Sequence, residues 1–182
     1  MICGIGKVIY SNGDEYRGNF QDGLPHGFGI MDYETTEGKE RYEGEWLNGK
    51  KHGNGTARLP DGGVYKGMVR NGLKNGHGTY WDKDGKLVYT GEHLDGVEHG
   101  KGKYTFPTGI EYEGEFFKGE LHGHGVLKYV KEDCHDYQAR YVGAFVDGLP
   151  SGKGTFWDVS GAKHYSDNWT DDPVFGVQPE NI

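Results

Sequence analysis

The sequence predicts an all-β protein, an elongated single-layer twisted antiparallel sheet of stacked β-hairpin repeats. Three observations predict it. One skeleton, Tyr-x-Gly-x-aromatic-x2-Gly-x2-His-Gly-x-Gly, recurs six times, from Tyr16, Tyr42, Tyr65, Tyr89, Tyr112 and Tyr141, and is written most fully at 112–125 as YEGEFFKGELHGHG. Between its glycines the alternation has period two, which is the strand signature. Helix is a poor alternative, because Gly makes up 34 of 182 residues and each costs about 1 kcal/mol in a helix interior.

Taken in order, the array begins with a partial repeat at 4–15, where Gly4, Gly6 and Gly13 match the later half of a unit. Full repeats occupy 16–41, 42–64, 65–88, 89–111, 112–140 and 141–164. A degenerate cap at 165–169 (YSDNW) puts Asp167 where the second skeleton residue is Gly, as terminal repeats tend to diverge, and 170–182 is a tail without the pattern. In each unit the Tyr, the Gly two residues on and the aromatic four residues on share one face, as in Tyr42, Gly44 and Trp46. A second strand is expected after the Gly-x-Gly pair, as at 103–106, where Tyr104 and Phe106 share a face. Turns at 11–13 (SNG), 60–62 (PDG), 83–85 (KDG) and 107–109 (PTG) are hairpin turns that need positive φ at glycine.

Two strands advance a sheet by roughly 10 Å, so the array implies a rod on the order of 60 to 70 Å. A single layer has no ordinary core; ladders of Tyr and Trp/Phe on one face must hold it, with glycines making room for the rings. The low hydrophobic content of 34% and mean hydropathy of -0.81 alone would suggest disorder. The 13 Tyr, 8 Phe and 4 Trp at fixed offsets argue for order, since disordered segments are poor in aromatics. No apolar run reaches bilayer length and the first residues lack a secretion signal, so a soluble cytoplasmic protein is expected, with Cys3 and Cys134 as free thiols. A net charge of -8 disfavours nucleic acid and disfavours an anionic membrane.

YEGEW at 42–46, HGNG at 52–55 and the PDG turn resemble the MORN repeat (membrane occupation and recognition nexus), over Gly4 to about Trp169. The resemblance implies a twisted sheet with a groove that acts as a scaffold. Members serve in radial-spoke heads of cilia, parasite cytoskeletons, membrane junctions and myosin tail recognition, or precede lipid kinases and lysine methyltransferases. The array nearly fills this sequence, which argues against an appended enzyme. The function implied by the resemblance is a non-catalytic protein-protein scaffold, associated with cytoskeleton, cilium or axoneme, with a phospholipid head-group module as the alternative.

Departures from the skeleton point to specialisation. Val69 and His93 replace the aromatic, Met68 replaces the usual polar neighbour, and Asn75 and Ser151 replace the His. Insertions at 34–41 and 130–140 are expected as loops on one long edge, suited to partner contact. His26, His52, His99 and His122 occupy one position, but equivalent positions lie about 10 Å apart while zinc ligands sit about 2 Å from the metal. These histidines read instead as turn residues bonded to their own backbone, and no metal or cofactor is expected. Glu45, Glu92 and Glu115 read as a solvated sheet face. The segment 148–154 (GLPSGKG) is one residue short of a phosphate-binding loop and has Gly154 where Ser or Thr is required.

Exposed aromatics opposite the ladders are the better functional signal, because Trp anchors interfaces. Trp81 and Trp157 point away from Tyr80 and Phe156. The candidate partner contacts are therefore Trp81, Trp157 and Met68 on the sheet, Cys134, His135 and Tyr137 in the second insertion, and Phe175 in the tail. Open edge strands at the two ends invite self-association or strand addition.

Overall fold

The computed structural model describes residues 3–129 and 139–167. These residues hold fourteen strands and no helix. They fall into two compact units, Met1–Val97 and Glu98–Ile182.

In the first unit the strands are β1 (Gly4–Ile9), β2 (Glu15–Gln21), β3 (Leu24–Thr35), β4 (Gly38–Leu47), β5 (Lys50–Arg58), β6 (Val64–Arg70), β7 (Leu73–Trp81) and β8 (Leu87–Leu94). Each pairs antiparallel with its neighbours in the chain, giving an open sheet whose strand order is sequence order. The second unit repeats this plan with β9 (Val97–Thr105), β10 (Glu111–Phe117), β11 (Glu120–Lys128), β12 (Arg140–Val146), β13 (Leu149–Trp157) and β14 (Lys163–Ser166).

The skeleton explains itself in the packing. Tyr16, Tyr42, Tyr65, Tyr89, Tyr112 and Tyr141 are all buried, at 0 to 2% exposure. The rings of Tyr16, Tyr42, Tyr65, Tyr112 and Tyr141 each lie across a pair of glycines that face one another on adjacent strands, as Gly44 and Gly55 do under Tyr42 and Gly114 and Gly125 under Tyr112. The phenol reaches past them to a backbone carbonyl three residues on. Tyr42 donates to Glu45 O at 3.4 Å and Tyr112 to Glu115 O at 2.9 Å, so a buried hydroxyl is satisfied rather than stranded.

Along the face, rings alternate edge-to-face. Tyr16 meets Phe20 at 5.1 Å and Trp46 at 5.3 Å between centroids, and Trp46 meets Tyr42 at 5.4 Å. In the second unit Phe145 bridges Tyr112 and Tyr141 at 4.9 and 5.3 Å. Such contacts add about 0.5–1.5 kcal/mol each beyond burial. His93 fills the same slot with its imidazole, edge-on to Tyr65 at 5.4 Å and to Tyr89 at 4.9 Å, so this departure preserves the ladder.

Within a repeat the two strands are joined by a two-residue turn such as Asn48-Gly49, with φ of 50° and 81°. Both central residues are left-handed, which matches the twist of the flanking strands. The turn then clips its hairpin to the previous one, since Gly49 N donates to Pro25 O at 2.8 Å, Gly72 N to Lys51 O at 2.9 Å and Gly119 N to Glu98 O at 2.9 Å.

Three sequence expectations need correction, and one gains a detail. The second strand begins directly after this turn, so the His-Gly-x-Gly segment lies inside β5 and β11 rather than before them. The histidines of that segment are strand residues, and the carbonyls of His52 and His122 accept the hydroxyls of Tyr42 at 3.4 Å and Tyr112 at 3.1 Å; the Nδ1 atoms of His26 and His52 are buried without a hydrogen bond. Glu45 and Glu115 lie on the exposed face, as expected, and also clamp a bulge: the carboxylate of Glu45 accepts from Asn54 N at 2.9 Å and that of Glu115 from His124 N at 3.4 Å, where the second strand carries two extra residues. The insertion at 34–41 is no loop. It lengthens β3 and β4 into a longer hairpin closed where Thr35 faces Gly38.

Candidate functional site

Ladder-face positions differ between repeats at the residue just before the skeleton His. In the first unit Pro25, Lys51 and Lys74 stand there, and the two lysines turn their ammonium groups over the rings. Lys51 Nζ lies 4.5 Å from the Tyr33 centroid and 5.1 Å from that of Tyr42, and Lys74 Nζ lies 4.9 Å from Tyr65 and 5.4 Å from Tyr80. Glu40 answers the Lys51 charge at 2.6 Å.

In the second unit the same positions hold Glu98, Leu121 and Pro150, and the face opens into a cavity of about 520 Å³. Its walls are Tyr104, Phe106, Leu121, Leu127, Tyr129 and Phe145, and its rim carries Glu98, Glu120 and Asp147. Tyr104 and Phe106 meet edge-on at 4.8 Å. Burial, and after it the charge of Glu98, raise the Tyr104 phenol, while burial pushes Tyr129 up to about 12. Both phenols are therefore neutral at physiological pH, and the carboxylates at the rim supply the charge of the site.

A second concavity, about 560 Å³, lies on the opposite face of the first unit. It brings together two of the expected contacts, Met68 and Trp81, with Phe28, Glu43 and Lys66. Phe28 is 53% exposed and Met68 46%. Met68 stands where Glu45 and Glu115 clamp their bulges, and covers Gly76 instead. Trp157 belongs to the second unit. Its ring is covered by the chain's own cations, with Arg140 Cζ 4.4 Å and Lys163 Nζ 5.7 Å from the centroid. Cys134, His135, Tyr137 and Phe175 lie outside the described residues. Among the described residues no group of three or more His, Cys, Asp or Glu is placed to hold a metal ion.

Sequence reasoning missed the ladder-face cavity, because Phe106 and Tyr129 fall outside the skeleton, four residues past its last glycine, at the position that Tyr33, Leu59 and Asp82 hold in the first unit. The signal that could have found it is the change from Lys51 and Lys74 to Glu98 and Leu121.

Comparison with known proteins gives a consistent picture. The MORN repeat model matches at 16–35, 42–64, 65–86, 89–111, 112–134 and 141–163, most of the chain. MORN repeat-containing protein 3 of Xenopus laevis is 37% identical over 86 residues, 43% of this chain and 35% of that protein. Alsin of Mus musculus is 51% identical over 49 residues, 26% of this chain and 3% of its own length. The human ALS2 C-terminal-like protein is 36% identical over 78 residues, 42% of this chain and 8% of its own. The matches thus span a minor part of each of these relatives.

Proposed function

The chain belongs to the MORN-repeat family, and from that premise we propose that it is a non-catalytic scaffold that binds a protein partner through the ladder face of its second unit, within a cytoskeletal or ciliary assembly. Family membership supports a protein-interaction or membrane-binding module. The observation that carries the choice of protein is the aromatic cavity of about 520 Å³ walled by Phe106, Leu121 and Tyr129. Concave apolar surface with a polar rim is how a protein presents itself to a partner. The placement in a cytoskeletal or ciliary assembly rests on family resemblance, which is analogy.

A photo-crosslinking residue at Leu121 of the intact chain tests the reading. A discrete protein adduct that disappears with Phe106→Asp, while the strand signal in circular dichroism is kept, is the expected result. Adducts that persist with Phe106→Asp would reject it.

One observation favours the phospholipid alternative. Beside Trp81 and Lys66 on the opposite face of the first unit stands Arg58, and neither cation makes a salt bridge within the described residues. Aromatic and basic groups together suit an anionic head-group surface. Sedimentation with phosphatidylserine vesicles that is lost on Arg58→Glu and Lys66→Glu would favour this reading over the first.

A further inference from the structure

The first unit shows what the ladder face does with a cation. Lys51 and Lys74 each lie within 5.5 Å of two tyrosine centroids, and Glu40 completes the arrangement for Lys51. The second unit keeps the other two parts. Tyr104, Phe106 and Tyr129 supply rings, and Glu98, Glu120 and Asp147 supply carboxylates, but among the described residues no Lys or Arg lines that cavity.

We propose that this groove receives a lysine or arginine side chain from a basic, apolar segment of the partner protein, its cation seated against Tyr104, Phe106 and Tyr129 and its charge answered by Glu98 and Asp147. The proposal rests on the reading of the groove as a protein-binding surface and names the chemistry of what binds there. An aromatic face attracts a cation most when both are withdrawn from water. A carboxylate nearby offsets the desolvation of that charge, as Glu40 does for Lys51. Leu121, Leu127 and Phe145 take the apolar residues that flank it. An acidic segment would meet like charge at the rim, which costs affinity and rejects such partners.

The test uses the intact chain and two short amidated peptides, one of alternating leucine and lysine and the other with glutamine in place of each lysine, monitored by NMR. The lysine peptide is expected to bind at least about tenfold more tightly and to shift the ring protons of Tyr104, Phe106 and Tyr129. Its lysine ε-methylene protons move upfield under the ring currents. Glu98→Gln with Asp147→Asn removes most of that preference; both changes sit at the rim and keep side-chain size. Tyr104→Phe keeps binding, because it keeps the ring. Added salt weakens the lysine peptide and not the glutamine one.

Equal binding of the two peptides in the groove would overturn the cation site and leave the protein-binding reading standing. Binding of neither, or shifts confined to other surfaces, would overturn the proposal, and the Leu121 crosslink then decides separately whether the groove takes protein at all.

Discussion

The ring of Tyr112 occupies the space where Gly125 would carry a side chain. A Cβ built on Gly125 overlaps the ring, and one on Gly114 meets both the Tyr112 hydroxyl and the backbone of Gly125. The Tyr-x-Gly pattern and the second glycine of His-Gly-x-Gly are thus two halves of one slot, and neither strand can be read without the other.

Gly125→Ala should therefore cost several times what an ordinary strand Gly→Ala does, roughly 3 kcal/mol through overpacking. The cost should fall steeply in a Tyr112→Ala background, where the ring is gone. A double-mutant cycle in urea unfolding measures the coupling. Additive effects of the two changes would show that the ring and the glycine do not share the slot.

Lys118 holds a φ of 54° at the first turn position, where the other repeats place Asp22, Asn48, Asn71, Asp95 and Asp147. Asx residues tolerate this conformation better than a long side chain does. Lys118→Asn should raise stability by about 0.5–1 kcal/mol, a gain of a few degrees in Tm for a chain of this size. The cation–π contact of Lys118 with Phe117 at 5.3 Å is solvent-facing and too weak to reverse the sign. An unchanged or lower Tm by calorimetry would refute the ranking.

The buried phenols predict alkaline unfolding. Burial pushes Tyr16, Tyr42, Tyr65, Tyr112 and Tyr141 up to about 12 from an ordinary 10.0. In the unfolded chain they ionise near 10, so the unfolded state gains from losing protons first. Stability is fully present below about pH 10 and is lost as pH rises toward about 12. Urea midpoints should be flat through neutral pH and fall over that window, with buried tyrosinate absorbance developing only as the sheet unfolds. Tyrosinate absorbance that develops fully at about pH 10 while the strand signal persists would show that the ladder phenols are not protected.

The repeat, its face and its connecting turns are legible in the sequence because they are local patterns in which each copy confirms the others. The hairpin-to-hairpin clip from Gly49 N to Pro25 O is not, since backbone donors and acceptors leave no mark on residue type. The clamps at Glu45 and Glu115 look like solvated carboxylates because the extra residues that create the bulge resemble, in one dimension, ordinary strand. Trp81 and Met68 stand out by their alternation, and their common concavity comes from register across β6 and β7. The ladder-face groove escapes the sequence for a different reason. Phe106 and Tyr129 fall past the skeleton, where residue type varies from repeat to repeat, and Glu98 and Leu121 are informative only against Lys51 and Lys74.

At one end of the first unit, among the described residues, β1 pairs with β2 alone and its other side offers unpaired backbone groups. Ile5 and Ile9 project from this strand at 88% and 63% exposure, with Lys7 between them. An apolar edge strand is a template for another strand, and a second copy of the chain supplies the identical strand for antiparallel pairing about a two-fold axis. Sedimentation velocity over a concentration series should show a reversible shift toward dimer. Ile5→Lys with Ile9→Glu should abolish it while leaving Tm nearly unchanged, because neither side chain enters the ladder. A chain that stays monomeric at high concentration, or a dimer indifferent to both changes, would place self-association elsewhere or remove it.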